Sequence, residues 1–157
     1  MTLHAKDIMV TRFETIHEEA PIDEAIDKIA HGIVRDTGYK TISLMVIDDI
    51  GKLAGVVTMF DILYHLRPSF LNLGVDGKEL NWEGQLKILL EMLHGKKVSD
   101  IMSRHVVGVE ADDHLVVILD RMVKNKYRRL PVLKNSQPIG IVYISDIFHT
   151  LFLEKRI

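Results

Sequence analysis

Cysteine is missing from all 157 residues, which excludes a disulfide scaffold, a thiolate zinc site and a cysteine nucleophile. Proline (4) and glycine (10) are scarce and aromatic residues make up 6%, while 47% of the chain is hydrophobic. A disordered or low-complexity chain has the opposite balance. Neither sign of charge dominates: 20 lysines and arginines stand against 22 aspartates and glutamates, a net −2. Duplexes are bound chiefly through a basic surface that neutralises phosphates, so this balance argues against a dedicated nucleic-acid-binding protein. No run approaches the roughly 18 apolar residues of a membrane span, and Met1–Asp7 has no apolar signal core. The expectation is a soluble, cytoplasmic chain without a membrane partner.

Signatures of catalysis are missing too. The eight histidines show neither His-Glu-x-x-His nor His-x-x-x-His spacing, and no Gly-x-Ser-x-Gly occurs. Gly74-Val75-Asp76-Gly77-Lys78 has two residues where a phosphate loop has four between its glycines, and reads as a turn. Nothing pairs a nucleophile with a base. A non-enzyme with no metal and no required cofactor is expected.

What is present is a repeat, and repeats dictate architecture. Asp7-Ile8-Met9 returns as Asp100-Ile101-Met102, 93 residues on. At the same offset Ile22, Ala25, Ile26, Ile29 and Ala30 fall on Leu115, Ile118, Leu119, Met122 and Val123. Both sets follow the i, i+3, i+4, i+7, i+8 stripe of an amphipathic helix. Pro21 and Asp112-Asp113 mark the starts of these helices, and Gly32 the end of the first. The first repeat then carries extra residues between about 32 and 41. Beyond them Leu44–Ile47 matches Leu130–Leu133 at an offset of 86, and Gly55-Val56-Val57 with Asp61 matches Gly140-Ile141-Val142 with Asp146 at 85.

Each half therefore reads strand, helix, strand, turn, strand, helix, an α/β (α+β) fold of two β-α-β-β-α repeats with small mixed sheets. The hairpin turns are Asp48–Lys52 and Lys134–Gln137. The closing helices begin near Thr58 and Ser145, and Pro68 ends the first. Residues 1–67 form the first repeat and 96–157 the second. Between them, 68–95 hold a loop to Asn81 and a helix with Trp82, Leu86, Leu89, Leu90 and Leu93 on one side and Gly95 as its stop. Two readings of that helix stand side by side. Trp82, Leu86 and Leu93 cover the second repeat's sheet, or the helix joins Ile62, Leu66, Phe148, Leu151 and Phe152 in an interface between chains. Neither half has enough strands to close a core alone, so the two pack around a pseudo-twofold axis.

This paired pattern resembles the tandem CBS-domain proteins (cystathionine β-synthase domain pairs, or Bateman modules). The residues that carry the resemblance are the two Asp-Ile-Met openings, Tyr127–Leu133, Gly55–Asp61 and Gly140–Asp146, over roughly His4–Leu66 and Lys96–Leu153. The resemblance implies a regulatory module that binds adenine nucleotides or related adenosyl compounds between the repeats and dimerises with a second copy. In the family pattern Gly-x-x-Thr/Ser-x-x-Asp the hydroxyl meets a phosphate and the carboxylate a ribose, which gives those roles to Thr58 and Asp61. Val106 and Val107, on the strand after Ile101-Met102, would offer backbone to the adenine edge, and Arg128 and Arg129 would face the phosphates. A second, weaker site would use Tyr143, Ser145, Asp146 and Phe13. There Tyr143 replaces the hydroxyl residue, Glu14 accompanies Phe13, and Ile42 and Ser43 stand where the first site has arginines.

The physics of the first site needs no family name. The opening turn of a helix favours an anion, a carboxylate can accept from both ribose hydroxyls, and guanidinium forks suit phosphate oxygens. Blander readings remain beside it. Thr58–Asp61 fits a helix capping box that requires no ligand, and Lys124, Lys126, Arg128 and Arg129 fit a solvated basic face. The expected function is thus a stand-alone energy or metabolite sensor for an AMP-, ADP- or ATP-type ligand, acting as a homodimer on a regulated protein that the sequence does not name. The alternative is a dimerisation or partner-docking module with degenerate clefts.

Overall fold

The computed structural model describes residues 2–154. The first repeat runs α1 (Ala5–Ile8), β1 (Thr15–His17), α2 (Ile22–Ala30), β2 (Ser43–Ile47), β3 (Leu53–Thr58) and α3 (Met59–Leu66). A 3-10 turn at Ser69–Leu73 and α4 (Gln85–His94) lead to α5 (Val98–Ile101), α6 (Leu115–Asn125), β4 (Arg129–Lys134), β5 (Gln137–Tyr143) and α7 (Ile144–Phe148), which a π turn extends over His149–Leu153. The mixed α/β class and the twofold repetition are as the sequence predicts.

The hairpins repeat residue for residue. In β2–β3 Ser43 lies opposite Thr58 and Val46 opposite Gly55. In β4–β5 the equivalent residues, Arg129 with Tyr143 and Val132 with Gly140, are paired. Each hairpin shifts register at the matching place, after Val46 and after Val132. β1 adds a parallel strand to the first. The second has no such strand among the described residues: Val106 and Val107, expected on one, lie in irregular chain, and only Val109 bridges to Val132. Local geometry gives the reason. Just before Val109, Gly108 sits so close to Leu133 that a Cβ would come within 2.5 Å of its Cδ1. Just after it, the Glu110 N–H is taken by Asp113 Oδ2 at 2.8 Å, which turns the chain into α6.

The first helices of the repeats are exchanged. α5 buries Val98 and Ile101 among Ile22, Ala25, Leu44 and Val57 of the first repeat. α1 buries Ala5 and Ile8 among Leu115, Ile118, Leu130 and Val142 of the second. Backbone bonds fix both exchanges: Val98 N–H to Ala20 O (2.9 Å) and Ser99 N–H to Glu18 O (2.9 Å), then Ala5 N–H to Asp113 O (2.9 Å) and Lys6 N–H to Ala111 O (2.9 Å). Ion pairs repeat the symmetry at the surface, Lys97–Glu19 at 2.7 Å and Lys6–Asp112 at 2.8 Å. A third cluster of Met45, Ile141 and Tyr143, with Val10, Phe13 and Leu53 against it, lies between the hairpins.

Several local expectations are corrected. Pro21 occupies the cap position of α2 instead of its first turn, and the cap of α6 is His114, whose ring accepts from Val116 N–H at 3.0 Å. Gly32 directly follows His31, the C-cap of α2, where a stop is expected, and its missing side chain also makes room for Thr41 O, which a Cβ would meet at 2.3 Å. α7 starts at Ile144, so Ser145 is already inside its first turn. The connecting loop contains the 3-10 turn, and Trp82 lies ahead of α4, stacked parallel on Phe70 with its Nε1–H donated to Gly77 O at 2.7 Å. α4 packs on α2 and α3 of the first repeat, not on the second repeat's sheet. Its anchor is Leu93, 3% exposed, while Leu86 is 61% exposed.

Candidate functional site

The repeated Asp-Ile-Met motif builds the site from both sides. Each aspartate accepts the N–H that opens its own short helix, Asp7 from His4 at 2.8 Å and Asp100 from Lys97 at 2.9 Å. Each isoleucine is buried in the other repeat's core. Each methionine lies across the hairpin glycine of the other repeat: a Cβ on Gly55 would come within 3.0 Å of Met102 Sδ, and one on Gly140 within 2.7 Å of Met9 Sδ. The following residues then bridge antiparallel to the closing strands, Ser103 to Val56 and Val10 to Ile141. This brings the start of α3 beside the segment that follows α5.

A cleft of about 570 Å³ opens there, and all six residues expected at the first site line it: Thr58, Asp61, Val106, Val107, Arg128 and Arg129. The size lies within the range of small-molecule sites. Thr58 caps α3, and the capping box is complete. Asp61 N–H bonds Thr58 Oγ1 at 3.1 Å, and Asp61 Oδ2 takes both the Thr58 N–H and its hydroxyl at 3.0 Å. The other carboxylate oxygen, Oδ1, holds the Ser103 hydroxyl at 3.1 Å. The capping reading and the ligand reading thus fall on the same two residues, and Ser103 spans the seam between the repeats.

The opposite wall is cationic. Arg128 is exposed and Arg129 half-buried, and Lys126 joins them at the rim in a left-handed conformation (φ 57°) that ends α6. Burial pushes the Arg129 guanidinium below its ordinary value, an effect that neighbouring Tyr143 and Asp61 oppose and Arg128 reinforces. Its Nε is buried without a hydrogen-bond partner among the described residues. A buried donor left unmatched is destabilising until something accepts from it.

At the pseudo-equivalent place the second cleft is smaller, about 320 Å³, and partly occupied. Asp146, Tyr143 and Ser145 come together, but around Arg35 from the residues that only the first repeat carries. Arg35 Nε reaches Asp146 at 3.1 and 3.3 Å, its Nη2 reaches Ser145 Oγ at 3.2 Å, and its guanidinium carbon lies 3.7 Å from the Tyr143 ring centroid. Phe13 packs beside Tyr143 between the hairpins. Three contributors escape sequence reasoning. Ser103 had a signal, since it directly follows the Asp-Ile-Met motif, and so had Lys126, in the basic run. Arg35 had none, because the insertion has no counterpart in the other repeat to compare with.

A family model described as CBS domain matches residues 5–68 and again residues 98–152. The chain is 26% identical over 162 residues to the CBS domain-containing protein CBSX1, chloroplastic, of Arabidopsis thaliana, covering 94% of this chain and 64% of that protein. It is 22% identical over 142 residues to protein MJ1404 of Methanocaldococcus jannaschii, of whose length it spans 27%. Among solved structures, the CBS domain pair of protein MJ0100 in complex with 5-methylthioadenosine and S-adenosyl-L-methionine superposes with a TM-score of 0.68 at 25% identity, over 99% of both chains. CBSX2 in complex with AMP superposes with a TM-score of 0.70 at 24% identity, over 98% of this chain and 99% of that one.

Proposed function

We propose, of a chain that belongs to the CBS domain family, that its first cleft binds an adenine nucleotide and that the module regulates another protein and carries out no catalysis of its own. The observation that carries this reading is the wall of Lys126, Arg128 and Arg129 facing the capped start of α3 across the cleft. A phosphate supplies acceptors to all three cations and to the positive end of α3. Ribose hydroxyls would replace Ser103 on Asp61 Oδ1, and the adenine edge would lie along Val106 and Val107. Adenosyl compounds are bound by similar domain pairs: MJ0100 holds methylthioadenosine and S-adenosylmethionine, and CBSX2 holds AMP. Three cations repel a sulfonium and attract a phosphate, so AMP, ADP or ATP suits this cleft better than S-adenosylmethionine.

Regulation follows from linkage. The cleft is walled by both repeats, so a ligand that touches both favours the arrangement in which they fit it best. The same reading has the module work in the cytoplasm as a homodimer. Exposed apolar side chains at the closing end support the dimer, Phe148 from α7 and Phe152 from the π turn that extends it.

Thermal unfolding with AMP, ADP, ATP and S-adenosylmethionine tests the reading. A nucleotide at a hundred times its Kd stabilises the fold by about 2.7 kcal/mol, so the melting temperature is expected to rise with the nucleotides and much less with the sulfonium. Asp61→Ala should remove the response while lowering the ligand-free stability by only about 1 kcal/mol, the usual worth of a cap. No response to any of the four, with a dimer by light scattering, would point to a docking module instead.

A further inference from the structure

We propose that Arg35 is a built-in occupant of the second cleft, so that the folded chain accepts one adenosyl ligand and not two. The inference rests on the adenosyl reading of the first cleft. The pseudo-twofold relation sets Asp146 in the place of Asp61, and Tyr143 in the place of Thr58. Both carboxylates border open volume, about 570 Å³ at Asp61 and 320 Å³ at Asp146, but Asp146 is only 6% exposed and Arg35 8%. Both Asp146 oxygens are engaged by Arg35, and Thr37 Oγ1 adds a third bond at 2.9 Å. A flat group stacked on the Tyr143 ring and bonded at its edge to the carboxylate makes the contacts for which a nucleoside would compete.

The insertion is built to hold that side chain in place. Its two ends are stapled by Thr41 N–H to Ile33 O at 2.8 Å, and Gly32 lets them approach. Within it a tight loop closes through Arg35 N–H to Tyr39 O and Gly38 N–H to Arg35 O, each 2.8 Å. Displacing the guanidinium would strand a buried carboxylate without its partner, which opposes entry of a ligand. The space left beside the pair is about 320 Å³, and Asp7, Asp36 and Glu154 on its walls with Arg12 make it a poor phosphate site. The first cleft carries no corresponding strap, because the second repeat lacks the inserted residues.

Equilibrium dialysis with adenosine, which has no phosphate for those acids to repel, counts the sites. One adenosine per wild-type chain and two per Arg35→Ala chain are expected, with the added site lost again in Arg35→Ala/Asp146→Ala. Two per wild-type chain, or one in both wild type and Arg35→Ala, would overturn the inference and leave the first cleft's reading intact. Binding only by Arg35→Ala would keep the plug, and binding by neither would overturn it; the first cleft, whose affinity rests on phosphate, is then judged by the AMP titration. Should Arg35→Ala not melt cooperatively, the wild type decides by itself. The Arg35 Nε–H resonance, assigned through its loss in Arg35→Lys, is expected to stay in place at saturating adenosine, and its disappearance or a large shift contradicts the plug.

Discussion

Two glycines show how a single position can join two repeats. Gly55 and Gly140 occupy equivalent places, but what a side chain would meet at each differs. At Gly55 a Cβ would lie 2.5 Å from Ser103 O, a backbone atom held in a bridge, whereas at Gly140 it would lie 2.7 Å from Met9 Sδ, the end of a flexible side chain. Overpacking a well-filled site costs about 1–3 kcal/mol. Gly55→Ala is expected near the top of that range and Gly140→Ala near the bottom, measured by urea unfolding; the reverse order would refute the assigned contacts. At this scale the first cleft was legible because Thr58, Asp61, Arg128 and Arg129 sit inside repeated or basic motifs. Arg35 was not, since an insertion has no second copy to be read against.

Elements were legible where spacing fixes them and illegible where partners do. The i, i+3, i+4 pattern with Gly95 located α4 and its end at His94, while its start is Gln85 and not Trp82. Periodicity names a face without naming what covers it, so the assignment of α4 to the second repeat failed. Leu93 lies instead in the core with Ile22 and Ile62. Leu93→Ala should cost about 2–5 kcal/mol, as for other buried leucines. Leu86→Ala, on the exposed side, should stay within about 0.5 kcal/mol. Chemical denaturation compares the two, and equal losses would mean that α4 is docked through another face. The strand expected at Val106-Val107 failed for a related reason: β-branched residues mark strand propensity, but the ladder also needs a neighbour within reach, and the chain meets β4 only at Val109.

For the whole molecule, the repeat made the pseudo-twofold plan readable, while the exchange of α1 and α5 was hidden because sequence order assigns each helix to the half in which it is written. That exchange makes the halves interdependent. Fragments 1–67 and 96–157 are each expected to lack a cooperative thermal transition by circular dichroism, since each leaves a core without its cover; a sharp transition in either alone would contradict this. The same interlock places one cleft wall on each repeat, as the proposed coupling between ligand and packing requires. Amide resonances followed during a titration with AMP test that claim most directly. The account predicts saturable shifts at Thr58–Asp61, at Val106 and Val107, and at Arg128 and Arg129, on both sides of the seam together. Shifts confined to one repeat, or none at millimolar AMP, would contradict it.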